Sequence, residues 1–368
     1  MDNSFGSVFR ITSFGESHGD LIGIVIDGVP AGMEFDLKFI QNEIDRRKPG
    51  KTHLTSPRLE EDRVQLLSGV FENKTTGAPL CLIIENKDVD SSIYEKYRDF
   101  LRPSHIDYPA LKKYHGFSDL RGSGRFSGRI TAGFVMAGAI AKQILMKYKV
   151  MIFAYTKSIG EIIDNYDYSS YDLNELVNLR EKSLIGAINP EKSKSMELLI
   201  ERVKKQMDSV GGIVKCIVIN FPAGKGGPIF NSIESNISKA MFAIPAIKAI
   251  EFGVGFKATK MKGSEHNDPW TIKNGKVQTT KNDAGGIIGG ISTGMPIEFA
   301  VAVKPTASIG IPQKTVDIKK MEEVRIEFLG RHDPCIVPRV IPVVEAMTAN
   351  VLLDILLLEG FIPRVLKT

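Results

Sequence analysis

Cysteine and tryptophan are scarce in this chain, with 3 Cys and 1 Trp in 368 residues. Cys81, Cys216 and Cys335 are odd in number and widely separated. That excludes a disulfide-stapled scaffold and offers no metal-ligand spacing, so a reduced, cytoplasmic setting is expected. A one-signed charge excess is also missing: 48 Lys+Arg against 43 Asp+Glu leave a net charge of +5. The basic residues are scattered, apart from short pairs such as Arg46-Arg47 and Lys204-Lys205. A nucleic-acid partner, which needs clustered basic residues, is therefore not expected. Met1-Asp2-Asn3-Ser4-Phe5 lacks the basic-then-apolar pattern of a signal peptide. The most apolar stretch, Val340 to Phe361, is interrupted by Pro342, Glu345 and Asp354 and reads as a buried or interface helix, not a membrane span.

What is present is an ordinary globular mixture, 43% apolar and 25% charged. The length allows two domains or one large one; with no long linker, low-complexity tract or repeat, a single α/β unit over 1–368 is expected. Gly19 to Val29 reads as a strand, and Asp36 caps a helix with Leu37, Ile40 and Ile44 on one face, ending at Arg46-Arg47. Val64 to Val70 and Leu80 to Glu85 read as strands, with Lys74 to Pro79 as a turn between them. Thr131 to Lys147 is the strongest helix, its Gly133, Ala137, Gly138 and Ala141 allowing close packing. Asp164 to Pro190 reads as an irregular surface excursion. Met196 to Met207 and Ile233 to Ile244 read as helices; Gly211 to Asn220, Phe252 to Ala258 and Phe299 to Val303 read as strands.

Three clusters join glycine to residues that grip anions or move protons. The first is Gly15-Glu-Ser-His18-Gly19, on a loop with nothing apolar to bury His18 against. An unperturbed pKa of about 6.5 suits His18 to protonate a leaving group. The second is Arg121-Gly-Ser-Gly-Arg125-Phe-Ser-Gly-Arg129. Its Gly-x-Gly-x-x-x-Gly spacing is wrong for a dinucleotide fingerprint. It reads better as a turn into the N-terminus of the Thr131 helix, where free N–H groups favour phosphate and Arg125, Ser127 and Arg129 add side-chain contacts. The third is Arg331-His332-Asp333-Pro334, in which Asp333 is a turn former or a proton relay. Two further segments, Arg102-Pro103-Ser104-His105 and Lys304-Pro305-Thr306-Ala307-Ser308, have similar chemistry. One anionic active site assembled from the whole chain is the expectation.

In order and spacing, these segments resemble the chorismate synthases. The resemblance is carried by Phe14-Gly-Glu-Ser-His-Gly19, Asp45-Arg-Arg-Lys-Pro-Gly50, Ser68-Gly-Val-Phe-Glu72 with Thr75-Thr-Gly77, and Arg102-Pro-Ser-His105. Gly138-Ala-Ile-Ala-Lys142, Gly285-Gly-Ile-Ile-Gly-Gly290 and Gly330-Arg-His-Asp-Pro334 complete it. The resemblance implies an α/β (α+β) fold, a β-α-β sandwich of antiparallel sheets with long central helices, assembled as a homotetramer. It also implies a 1,4-anti elimination of phosphate from 5-enolpyruvylshikimate 3-phosphate, giving chorismate with reduced FMN and no net redox change; some members reduce their own flavin with NADPH. His18 then matches the proton donor to the departing phosphate, His105 the histidine near the flavin, and Asp333 an aspartate assisting proton removal. Arg47, Ser127, Arg129 and Arg331 match substrate-binding positions. Arg47, His53, Arg125, Phe126, Ser127, Pro245, Ala246, Gly289, Lys304 to Ser308 (Lys304, Pro305, Thr306, Ala307, Ser308) and Arg331 match cofactor-binding positions.

The chain departs from the common family pattern in Arg125-Phe-Ser-Gly-Arg-Ile-Thr131, where many members read Arg-Ser-Ser-Ala-Arg-Glu-Thr. It also has His53 in place of an arginine and Pro245-Ala246 in place of Asn-Ala. The alternative readings are an FMN-dependent oxidoreductase acting on a related phosphorylated substrate, and a non-enzymatic phosphate- or RNA-binding protein.

Overall fold

The computed structural model describes residues 2–50, 52–55, 61–87, 90–168, 171–328 and 333–366. Two five-stranded antiparallel sheets enclose a helical layer. The first runs Ser4–Phe5, Arg10–Gly15, Leu21–Asp27, Leu80–Glu85, Gln65–Ser68. The second runs Ile247–Phe252, Ile297–Val303, Gly212–Ile219, Met151–Ile159, Ile162–Ile163. In the first sheet Ile22, Ile24 and Ile26 pair with Ile84, Leu82 and Leu80, and all six are buried. Alternation along the strands thus presents one apolar face to the helices.

Between the sheets lie Thr131–Lys147 and Val337–Leu358. With the preceding 3₁₀ turn counted, Gly128–Lys147 and Val337–Leu358 are long and apolar enough to cross a membrane, but most of each is buried inside the fold. A helix that is apolar all round needs cover on every side, which two sheets and a partner helix supply. The helices pack tightly at Gly138, where a Cβ would stand 2.3 Å from the Cα of Ala346. Pro342 is the sixth residue of the C-terminal helix, so it interrupts the intrahelical ladder only near one end. The sandwich implied by the family resemblance is the one observed.

Several local expectations need correction. Asp164 to Pro190 contains a helix, Leu173–Lys182, started by a capping box between Asp172 and Glu175. The strand expected over Phe252 to Ala258 lies earlier, at Ile247–Phe252, and Gly255–Lys260 is a 3₁₀ turn. Lys74 is not the start of a turn: Lys74–Thr75 pairs with Val70–Phe71, and the reversal falls at Glu72-Asn73, both left-handed. The strand Met151–Ile159, the longest in the second sheet, was not anticipated.

Behind the helices sits a buried ionic cluster. Glu345, 1% exposed on the C-terminal helix, accepts from Arg46 (2.7 Å), Lys142 (2.6 Å) and Arg180 (2.6 Å), and from the Ala154 backbone N–H (2.9 Å). Lys142 also binds Glu43 at 2.6 Å. Burial alone would raise the Glu345 pKa, but the charges of Arg46, Lys142 and Arg180 outweigh it and hold the carboxyl well below the usual range. Replacing Glu345 with Ala would remove the carboxylate shared by three cations, leaving Glu43 alone to hold Arg46 and Lys142 and the buried Arg180 without its inner partner. The Glu345→Ala variant is expected to lose about 3–5 kcal/mol of stability, read from urea denaturation midpoints. A loss below about 1 kcal/mol would show that water or rearrangement compensates the cluster.

Candidate active site

The glycine-rich turn Arg121–Phe126 positions two histidines. Gly122, Ser123 and Gly124 have φ of 56°, 74° and 50°, three successive residues in the left-handed region. Gly122 is required there by contact as well as by conformation, because a Cβ would stand 2.1 Å from Cδ2 of His18 and 2.4 Å from its Nε2. Ser123 Oγ lies 3.1 Å from His105 Nε2, and the Gly124 carbonyl accepts from Ser17 N–H at 3.3 Å.

His18 is 8% exposed, with Nδ1 2.9 Å from Ser91 Oγ and the Tyr94 ring edge-on at 5.1 Å. Its loop is braced by Asn86, whose amide donates to the carbonyls of Glu16 (3.0 Å) and Gly19 (2.8 Å). The Asn86 Oδ1 accepts from Arg129 Nε at 2.9 Å. Arg125 donates to the carbonyls of Gly15 (2.8 Å) and Ser13 (3.1 Å), so much of its hydrogen-bonding capacity goes to the end of the strand that leads into this loop.

His105 Nδ1 is 3.2 Å from Asp107 Oδ1. Arg102 grips the same carboxylate through Nε (2.8 Å) and Nη2 (2.6 Å). Burial alone would raise the Asp107 pKa, but hydrogen bonds from Arg102 and His105 outweigh it and hold the group well below the usual carboxylate range. Burial pushes the His105 pKa below the ordinary histidine value, opposed by the Asp107 hydrogen bond and assisted by the Arg102 charge. An ionised Asp107 only accepts, so neutral His105 carries its proton on Nδ1 and Nε2 accepts from Ser123.

The arginines converge from other elements. Arg129, just before the Thr131 helix, donates to Asp62 Oδ1 and takes Ser127 Oγ as acceptor for its own N–H at 3.2 Å. Arg47, the last residue of the Leu37–Arg47 helix, has Nη1 3.6 Å from Asp62 Oδ2 and Nε 3.4 Å from Thr131 Oγ1. Asp333 accepts from Arg339 Nη1, and its carbonyl accepts from Thr306 Oγ1 at 2.9 Å. Arg339 Nε also donates to the Arg47 carbonyl at 3.3 Å.

Three adjoining clefts result. One of about 650 Å³ is lined by Ser17, His18, Asp62, Asn86 and Arg129. The next, about 240 Å³, shares Arg129 and adds Arg47, Ser127, Thr131, Asp333 and Arg339. The third, about 610 Å³, shares Ser127, Thr306 and Asp333 and adds His105, Arg125, Phe126, Pro245, Ala246, Lys304, Ala307 and Ser308. Most of the expected site residues therefore line these three adjoining clefts, which together form a trough along Ser127–Thr131. Two do not line it. His53 faces Glu201 at 2.9 Å on the surface helix Pro190–Lys205, and Gly289 lies in the Ile287–Ser292 hairpin. Arg331 lies outside the described residues. The sequence reading missed Asp62, Asn86 and Arg339, which stand outside every glycine-rich cluster; Arg339, in the first turn of an apolar helix, was the most legible of them.

A family model described as chorismate synthase matches residues 9–357. The chain belongs to the chorismate synthase family. A chorismate synthase of Dehalococcoides mccartyi is 49% identical over 367 residues, covering 100% of both chains. One from Korarchaeum cryptofilum is 49% identical over 350 residues, covering 95% of this chain and 96% of its own. A crystal structure of a chorismate synthase superposes with a TM-score of 0.76 at 29% identity, covering 96% of this chain and 93% of the other. Family membership supports an enzyme with a small-molecule substrate, and the trough is where this chain brings His18, His105 and Asp333 together with Arg47 and Arg129.

The His105 environment has a pH consequence. Its folded pKa lies below the unfolded value, so the unfolded chain binds more protons as pH falls through about 6.5. His105 therefore withdraws stability as pH drops from 7 towards 5. In urea denaturation across that range, His105→Asn should flatten the decline by up to about 1.4 kcal/mol per pH unit. An unchanged slope would assign the decline to other groups.

Proposed function

We propose that this protein catalyses the 1,4-anti elimination of phosphate and the C6 proton from 5-enolpyruvylshikimate 3-phosphate, giving chorismate. The observation that carries the reading is the trough itself, in which His18 and His105, both seated by the Arg121–Phe126 turn, share adjoining clefts with Arg125, Arg129, Arg47 and Arg339. A substrate with a phosphate and two carboxylates needs several fixed cations, and a reaction that expels phosphate gains most from cations aimed where charge develops.

Arg129 and Arg47 hold the phosphate, with Ser127 beside them and Arg331 as a further anion contact. In its cationic form His18 donates Nδ1–H to Ser91, and its Nε2–H is the proton that goes to the departing phosphate. Asp333 assists proton removal, oriented by Arg339.

The 610 Å³ cleft fits a phosphate-bearing flavin: Phe126 and Phe242 give aromatic surface, Ile336 an apolar wall, and Lys304, Thr306 and Ser308 a cation with two hydroxyls. Main-chain geometry there is fixed by Lys304 N–H donating to the Ala246 carbonyl at 2.9 Å, so replacing Asn with Pro245 leaves that edge intact. When bound, reduced FMN supplies electron density to the substrate ring as phosphate leaves. His105 is neutral in the free protein; an anionic ligand arriving beside it raises its proton affinity and lets it become a donor. NADPH or an external reductant keeps the flavin reduced. The working protein is proposed to be a single-domain cytoplasmic enzyme assembled as a homotetramer.

Anaerobic turnover of 5-enolpyruvylshikimate 3-phosphate with dithionite-reduced FMN should release phosphate and chorismate in equal amounts, and neither with oxidised flavin. Net oxidation or reduction of the substrate would instead favour a flavin oxidoreductase. His18→Ala and His105→Ala should each slow turnover by roughly 10²–10⁴-fold with the fold retained by circular dichroism. Undiminished rates in either variant would remove that histidine from the mechanism.

A further inference from the structure

None of the roles above uses Asp62, yet it is the carboxylate between the two arginines proposed to hold phosphate. It is 3% exposed, with its side chain fully covered. Arg129 Nη1 donates to Oδ1, and Arg47 Nη1 lies 3.6 Å from Oδ2. Arg47 and Arg129 are themselves only 2% and 9% exposed. Two buried guanidinium groups facing one another repel, so an anion between them is needed to keep both in place. The Asp62 backbone is left-handed, with φ of 46°, a conformation that Asp tolerates better than most residues.

Position decides what this anion does. Asp62 and Arg129 line the 650 Å³ cleft with His18, whereas Arg47 and Arg129 line the 240 Å³ cleft. Any ligand phosphate reaching Arg129 therefore meets a guanidinium already shared with a carboxylate.

We propose that Asp62 is the built-in counter-anion of the Arg47–Arg129 pair. It is a positioning residue that holds the two guanidinium groups together between ligands and weakens their grip on phosphate enough for release. The inference rests on the proposed function only in taking phosphate as the anion. Removing a charge within about 4–6 Å of a bound anion changes its energetics by the equivalent of at least about one pKa unit, or tenfold.

The test is calorimetric titration of the full-length protein with inorganic phosphate, alone and at high salt. Asp62→Asn should bind phosphate about tenfold more tightly than the parent, melt at a lower temperature, and regain that temperature when phosphate is added. Asp62→Glu should stay within a few-fold of the parent. Equal or weaker binding by folded Asp62→Asn would overturn the proposal, as would no binding to either protein at millimolar phosphate.

Should Asp62→Asn fail to fold alone, a rescue experiment decides. Arg47→Gln should weaken phosphate binding, and adding Asp62→Asn to it should restore affinity towards the parent value. A double variant no better than Arg47→Gln would mean that Asp62 is only scaffold. Because phosphate affinity is read without turnover, failure of the elimination assay would leave this result standing.

Discussion

The close crossing of two apolar helices is the constraint on which the rest of the molecule depends. Thr131–Lys147 and Val337–Leu358 can bury themselves on all sides only if sheets cover both faces and their own contact is tight. Gly138 against Ala346 supplies that contact. Both helices then begin at the same end of the layer, so Ser127, Arg129 and Thr131 at the head of one meet Asp333, Ile336 and Arg339 at the head of the other across one cleft. Two helix N-termini facing a common space favour negative charge there before any side chain contributes.

Consecutive residues Arg46 and Arg47 divide the work. Arg46 turns inward to Glu345 and Glu43, in a cluster that also ties down Lys142 and Arg180. Arg47 turns to the trough, beside Asp62 and Thr131. The inward cluster fixes the end of the Leu37–Arg47 helix against the C-terminal helix, and that end sets where the Arg47 guanidinium can reach. The same economy appears in the Arg121–Phe126 turn, where Gly122 seats His18 and Ser123 seats His105. A single backbone path thereby fixes the separation of the two proposed proton donors.

How far the sequence was legible varied with the physics of each part. The Thr131 helix was read to its observed bounds because its composition is helical on every face and a glycine-rich turn precedes it. Met151–Ile159 escaped because both of its faces are covered. Phe153 and Tyr155 lie under the Leu173–Lys182 helix, while Thr156 and Ser158 are buried on the other side, so no alternation marks a strand. His18, His105 and Arg129 stood out beside glycine or proline, and they do share the trough. Asp62, Asn86 and Arg339 come from segments with no such punctuation, and only the folded arrangement brings them to the same arginines and loops. His53 shows the converse: a position matched by order along the chain faces a surface glutamate instead.

The central claim is that one trough holds substrate phosphate at the arginines and flavin beside His105. A crystal structure with 5-enolpyruvylshikimate 3-phosphate and FMN bound tests it most directly. The account predicts the substrate phosphate within hydrogen-bond reach of Arg129 and His18, with the flavin ring against Phe126 and its phosphate near Lys304, Thr306 and Ser308. Either ligand seated outside the trough, or a substrate phosphate remote from both Arg129 and His18, would contradict it.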